Sequence, residues 1–137
     1  MLRKLPAITT ESKDFWQGGA EGELRIYHCN DCARYFHPPS PVCPNCVSDN
    51  VAAKTVSGKA TIASFTINHQ QWQPELETPF VVGMVEIVEQ RGLRLVTNII
   101  NCDPQEVQIG LAAKVQFLQQ EDVWLPMFEL DTPDAVK

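Results

Sequence analysis

Along the 137 residues, apolar and polar positions fall into three unlike stretches, and none of them repeats. Thr9 to Ala20 predicts a short helix. Thr10 is its N-cap, Glu11 and Asp14 put acid in the first turn, and Gly18-Gly19 end it. Phe15 and Trp16 are adjacent and cannot both centre one narrow apolar stripe, so one faces inward and the other is offered to a neighbouring module or another protein. From Glu23 to about Ala53, Leu24 to Tyr27 predicts a strand and Tyr35 to His37 its return. Between this return and the next cysteine, Pro38-Pro39-Ser40-Pro41 is a stiff connection that is neither helix nor central strand. From about Lys54 to Leu130 the pattern is that of short strands: Thr61 to Ile67, Phe80 to Val88, Leu93 to Ile100, Lys114 to Leu118 and Val123 to Leu130. Glu89 to Gly92 joins two of them at hairpin length. No segment here keeps a helical period over ten residues, and five such strands predict a small closed barrel, most economically an OB-fold. Gly58 and Gly83 sit where a bent barrel strand needs a missing side chain. Asn68 to Thr78 is a polar loop of binding-loop length, with Trp72 in it. The fold class is therefore mainly β, in three segments: 1–22 helical, 23–53 a metal module, 54–137 the barrel.

The metal module is set by four cysteines in two pairs, Cys29-Asn30-Asp31-Cys32 and Cys43-Pro44-Asn45-Cys46, ten residues apart. Each CxxC folds into a knuckle that aims two thiolates at one point, and two knuckles complete a tetrahedral all-sulfur site. Soft thiolates select zinc, less often iron. Such a site has no open position, so the metal is structural, and a module this small depends on it for folding.

Composition narrows the function. Apolar residues are 44% of the chain, enough for a packed core. Eleven Lys and Arg stand against 17 Asp and Glu, a net charge of −6, which argues against a nucleic-acid surface. No run approaches a membrane span, and no apolar stretch follows the basic start, so the expected location is the cytoplasm, where thiols ligate metal in preference to forming disulfides.

Other chemistry-bearing residues have plainer readings. Cys102 has nothing beside it to lower its pKa and reads as a small buried hydrophobe, not a nucleophile served by His28 or His69. His28 and His37 flank a ligand shell that is already complete. Phe65, Phe80 and Phe117 lie on strands whose apolar positions fill the barrel, which accounts for them better than a base-stacking platform does. Glu86, Glu89, Glu121 and Asp122 fall at edges and turns as solvated surface. No catalytic residue is assigned. Phe15, Trp16 and Trp72 are the candidate partner or ligand contacts.

In its ordered succession the chain resembles the prokaryotic rubredoxin-like zinc-ribbon plus OB-fold proteins associated with acyl-CoA metabolism, long catalogued as a domain of unknown function. The resemblance runs through Phe15-Trp16 and the following glycines, Gly22-x-Leu24, Cys29-x2-Cys32, Phe36-His37-Pro38-Pro39 and Cys43-Pro44-x-Cys46. It continues with Pro79-Phe80-x-x-Gly83-x-Val85-Glu86 and Ile109-Gly110 ahead of Val115-x-Phe117. Two departures are Ser40, where members often carry arginine, and Gly58-Lys59-Ala60 in place of Gly-x-Gly. The resemblance implies a non-catalytic zinc-binding subunit that binds a thiolase-like enzyme as a hetero-oligomer and helps hold an acyl-CoA thioester. A nucleic-acid-binding ribbon and barrel is the alternative, and an iron rubredoxin-type electron carrier a weaker third.

Overall fold

The computed structural model describes residues 5–71 and 77–131. Helix α1 is Lys13–Gln17, followed by a 3-10 turn at Gly18–Glu21. The ribbon holds β1 (Leu24–Cys29), β2 (Tyr35–Phe36) and β3 (Val51–Val56), ordered β2-β1-β3. The barrel holds β4 (Lys59–Asn68), β5 (Phe80–Ile87), β6 (Arg94–Ile100), β7 (Ala112–Gln120) and β8 (Val123–Leu130), closed in the order β4-β5-β6-β8-β7. All its pairings are antiparallel except β6 with β8, the parallel closure of an OB-fold.

Strict alternation builds the wall of the barrel. Val81, Val85 and Ile87 on β5 and Leu95 and Ile99 on β6 point inward and are buried, while Phe80, Val82, Met84 and Glu86 face out. A bulge between Ile62 and Ser64 re-aims β4, so Phe65 and Ile67 join the same core around the fully buried Phe128. The wall's inner face carries one hydroxyl, that of Thr97, which donates to the Pro126 carbonyl at 2.8 Å. Strand β8 is buried on both faces, which explains its unbroken apolar run. Its outer residues Val123, Leu125 and Met127 are covered by Leu5, Ile8 and Trp16 from the N-terminal segment.

The structure corrects the expected N-terminal helix. It begins at Lys13 after Ser12, not at Thr10, because Thr9 and Ser12 bond each other (Thr9 N–H to Ser12 Oγ, 2.9 Å; Ser12 N–H to Thr9 Oγ1, 3.1 Å) and Ser12 makes no cap bond of its own. Gly18-Gly19 do not stop the chain's coiling, which runs on as 3-10 turn to Gly22 at φ 74°. Gly19 is there for close approach: a Cβ on it would lie 2.5 Å from Trp124 Cβ and 2.6 Å from Phe117 Cδ1, so the turn seats directly on β7 and β8. The adjacent aromatics divide as expected, Phe15 buried and Trp16 half-buried. Phe65 and Phe117 pack on the core, but Phe80, expected there too, is an outward residue of β5. Strand β3 is an element beyond those expected from sequence, and it runs the full length of β1.

Candidate metal centre and its surroundings

The two knuckles are near copies. In the first, Cys29 N–H donates to the Arg34 carbonyl (2.8 Å) and Ala33 N–H to the Cys29 carbonyl (2.8 Å). In the second, Cys43 N–H donates to the Ser48 carbonyl (2.8 Å) and Val47 N–H to the Cys43 carbonyl (2.9 Å). Closing that loop requires a left-handed residue four places after the first cysteine, and Ala33 (φ 62°) and Val47 (φ 64°) supply it without glycine. The knuckles are tied together through Asp31, whose carboxylate accepts from Ser48 Oγ and from Asn50 Nδ2 at 3.1 Å. Those two bonds hold its pKa below the usual carboxylate value.

All four sulfurs lie within 4.8 Å of one another. Cys29–Cys46 is 3.5 Å and Cys32–Cys43 is 3.7 Å, against edges of about 3.8 Å for a tetrahedron of Zn–S bonds of about 2.3 Å. Backbone N–H groups of Cys46 and Asn45 pull the Cys43 thiol down to about 7. Cys46 receives the Ser48 N–H, which lowers it, yet the crowding sulfurs of Cys29, Cys32 and Cys43 outweigh this and push it up to about 12. Thiolates crowded to these distances repel, so the last one resists losing its proton, and a dication at their centre would offset that repulsion. The donor set fits zinc in a closed shell: Cys29, Cys32, Cys43 and Cys46 would hold the ion, which would supply folding energy and leave no position for a substrate.

The remaining chemistry-bearing residues lie apart from this centre. His28 is buried, its Nδ1 3.3 Å from Asn30 Oδ1 and its ring against Tyr35 at 4.7 Å. His37 lies against Phe15 with ring centroids 4.7 Å apart and the rings tilted by 38°, and burial lowers its pKa. His69 is exposed. The Cys102 thiol is pushed up by burial and then by Glu106 and Asp103, the reverse of nucleophile activation. Glu86 pairs with Arg94 at 3.1 Å, and Glu89 accepts from Ser57 N–H at 2.7 Å, so neither pairs with another carboxylate. Trp72 lies outside the described residues. Sequence reasoning passed over Gln90, Arg34 and Val96. Gln90 bonds the ribbon backbone at Tyr35. Arg34 directly follows the first knuckle and lines a cleft of about 450 Å³. The only available signal for Val96 was its outward place in the β6 alternation, where it is 71% exposed.

Residues 16–52 match the family described as "ChsH2, rubredoxin-like zinc ribbon domain", and residues 53–118 match "ChsH2, C-terminal OB-fold domain". A protein of Thermomonospora curvata named "Probable enoyl-CoA hydratase alpha subunit" is 32% identical over 133 residues, 96% of this chain and 41% of that protein. A "DUF35 domain-containing scaffold protein" of Methanocaldococcus jannaschii is 26% identical over 91 residues, 65% of this chain and 63% of that one. The chain thus spans less than two thirds of either curated relative. Among solved structures, one titled "Ltp2-ChsH2(DUF35) aldolase" is 30% identical with a TM-score of 0.84, covering 93% of this chain and all of its counterpart.

Proposed function

This chain belongs to the DUF35 family of rubredoxin-like zinc-ribbon plus OB-fold proteins, and on that premise we propose that it is a non-catalytic accessory subunit of a thiolase-like enzyme acting on acyl-CoA thioesters. The observation that carries the reading is the closed four-sulfur site, which spends the metal on structure and leaves the ribbon and barrel as a rigid platform. Similar proteins named as an alpha subunit, as a scaffold and as one component of a two-protein aldolase support it. The chain works as a hetero-oligomer in the cytoplasm, and among the described residues no helix is long and apolar enough to cross a membrane. An acid excess of 17 to 11 opposes the nucleic-acid alternative.

Co-expression with a thiolase-like protein encoded beside this chain, followed by size-exclusion chromatography, tests the proposal. Co-elution is expected, with thioester turnover in the complex and none in this chain alone. Separate elution together with turnover by the isolated chain would sink it.

A further inference from the structure

Two concavities share His37 as a lining residue. The first is the cleft between ribbon and barrel, lined by Arg34, Arg94, Asn45 and Gln90. No carboxylate lines it, in a chain where acids outnumber bases. Among the described residues Arg34 has no ion-pair partner, and Arg94 spends its Nε on Glu86 and keeps the terminal nitrogens of its fork. The second is a groove of about 400 Å³ on the outer wall of the barrel, bounded by Phe15, Trp16, Phe80, Val82, Val96 and Met127. Its lining holds no charged side chain.

Outward positions of strands that face water are normally polar, yet here Phe80, Val82, Met84 and Val96 form an apolar strip. Arg94 stands on the same face of β6, two residues from Val96. The strip is also the second-and-third-strand face that OB-folds use for ligands. Beside it, the same wall already carries a peptide segment of this chain, since Leu5 and Ile8 lie over Leu125 and Met127. The groove stays on the outside of a filled barrel, whose Ile62, Val85, Ile87 and Phe128 are fully buried. A ligand in it therefore keeps one side toward solvent, short of the near-complete enclosure that a small ligand needs.

We infer that this cleft and groove are one docking surface for a segment of the partner protein that sets an acidic side chain beside one or two large apolar ones. The carboxylate meets Arg34 and Arg94, where a guanidinium can bind it through two nitrogens. The apolar side chains fill the groove between Trp16 and Val96, in the aromatic setting of interface hot spots. This deepens the accessory-subunit reading and rests on it for which protein supplies the segment.

The test uses the full zinc-loaded chain, immobilised, to select from a library of random peptides of about 12 residues displayed on phage. Enriched peptides are expected to carry Asp or Glu within about three positions of Leu, Phe, Trp or Met. Their binding should fall at least about tenfold with Arg34→Glu and with Val96→Asp, and by less with Arg34→Lys, which keeps the charge but loses the two-nitrogen grip. Both positions are exposed, and unchanged circular dichroism confirms that the variants fold. Enrichment of peptides without acid, binding indifferent to both substitutions, or no enrichment at all overturns the inference. So does tight one-to-one binding of laurate that peptides cannot displace, which would make the groove a small-ligand site. Should the partner co-elute with wild type and with both variants, the accessory reading stands and this surface falls. Should selected peptides bind as expected and the partner fail to co-elute, the accessory reading fails instead.

Discussion

Gln90, in the turn between β5 and β6, clamps the backbone of Tyr35 in the ribbon. Its Oε1 accepts from Tyr35 N–H at 2.7 Å and its Nε2 donates to the Tyr35 carbonyl at 2.9 Å. One side chain thereby takes the place of a neighbouring strand on the outer edge of β2 and fixes the ribbon against the barrel. Gln90 also lines the cleft that Arg34 and Arg94 share.

Gln90→Ala removes both bonds and leaves two partly buried backbone groups to find water. A loss of about 1–3 kcal/mol is expected. Amide exchange should quicken in the ribbon more than in β5 and β6. Equal acceleration in both modules would show that Gln90 does not join them.

Loss of a zinc ligand separates the modules more sharply. In Cys43→Ser, elemental analysis should fall from one zinc per chain toward zero, and the small cluster of Cys29, Phe36 and Cys43 should come apart. The barrel should keep most of its β-type circular dichroism, because Ile62, Val85 and Phe128 pack within it, and the loss should be felt where that core continues into Leu24 and Ile26 of β1. Retained stoichiometric zinc, or iron in wild-type protein, would contradict the assignment.

A crowded pair inside the barrel offers a test of packing. A Cβ on Gly83 would lie 2.9 Å from Ile99 Cγ1 and 3.0 Å from its Cδ1. Gly83→Ala should cost about 1–3 kcal/mol by overpacking. Adding Ile99→Val removes Cδ1, so the double variant should lose less than the two singles added together. Strict additivity in urea denaturation would mean that the two positions do not press on each other.

Much of this was legible because it rests on hard local constraints. The CxxC spacing marked the four cysteines that gather in space, and strand composition located the barrel strands, Val123 to Leu130 to the residue. Elements with weak side-chain signals were missed. Strand β3, Val51–Val56, holds two alanines and a lysine and owes its existence to pairing with β1. Helix α1 is shorter than its pattern because Thr9 and Ser12 bond each other ahead of it. Ala33 and Val47 gave no sign of left-handed backbone, since the knuckle imposes that conformation on whatever residue stands there. Phe80 was assigned to the core from its composition, whereas strand phase turns it outward. Gln90 and Arg34 act across module boundaries, and no local pattern announces such contacts.

The last prediction concerns acid. Glu129 accepts from Asn101 Nδ2 at 2.8 Å and from Gln116 Nε2 at 2.9 Å, with Lys114 Nζ at 3.7 Å, and so ties the end of β6 to β7 and β8. These bonds, Asn101 first, hold its pKa below the usual glutamate value. A carboxylate depressed in the folded state stabilises it fully above the unfolded pKa of about 4.3, and that contribution is lost as pH falls through the folded value. Glu129→Gln should therefore melt a few degrees below wild type at pH 7. The gap should narrow below about pH 5 and close in more acid solution, where wild-type Glu129 is itself protonated. Melting curves at intervals from pH 7 to pH 3 measure it, and a gap that stays constant over that range would show that Glu129 contributes through packing and not through its charge.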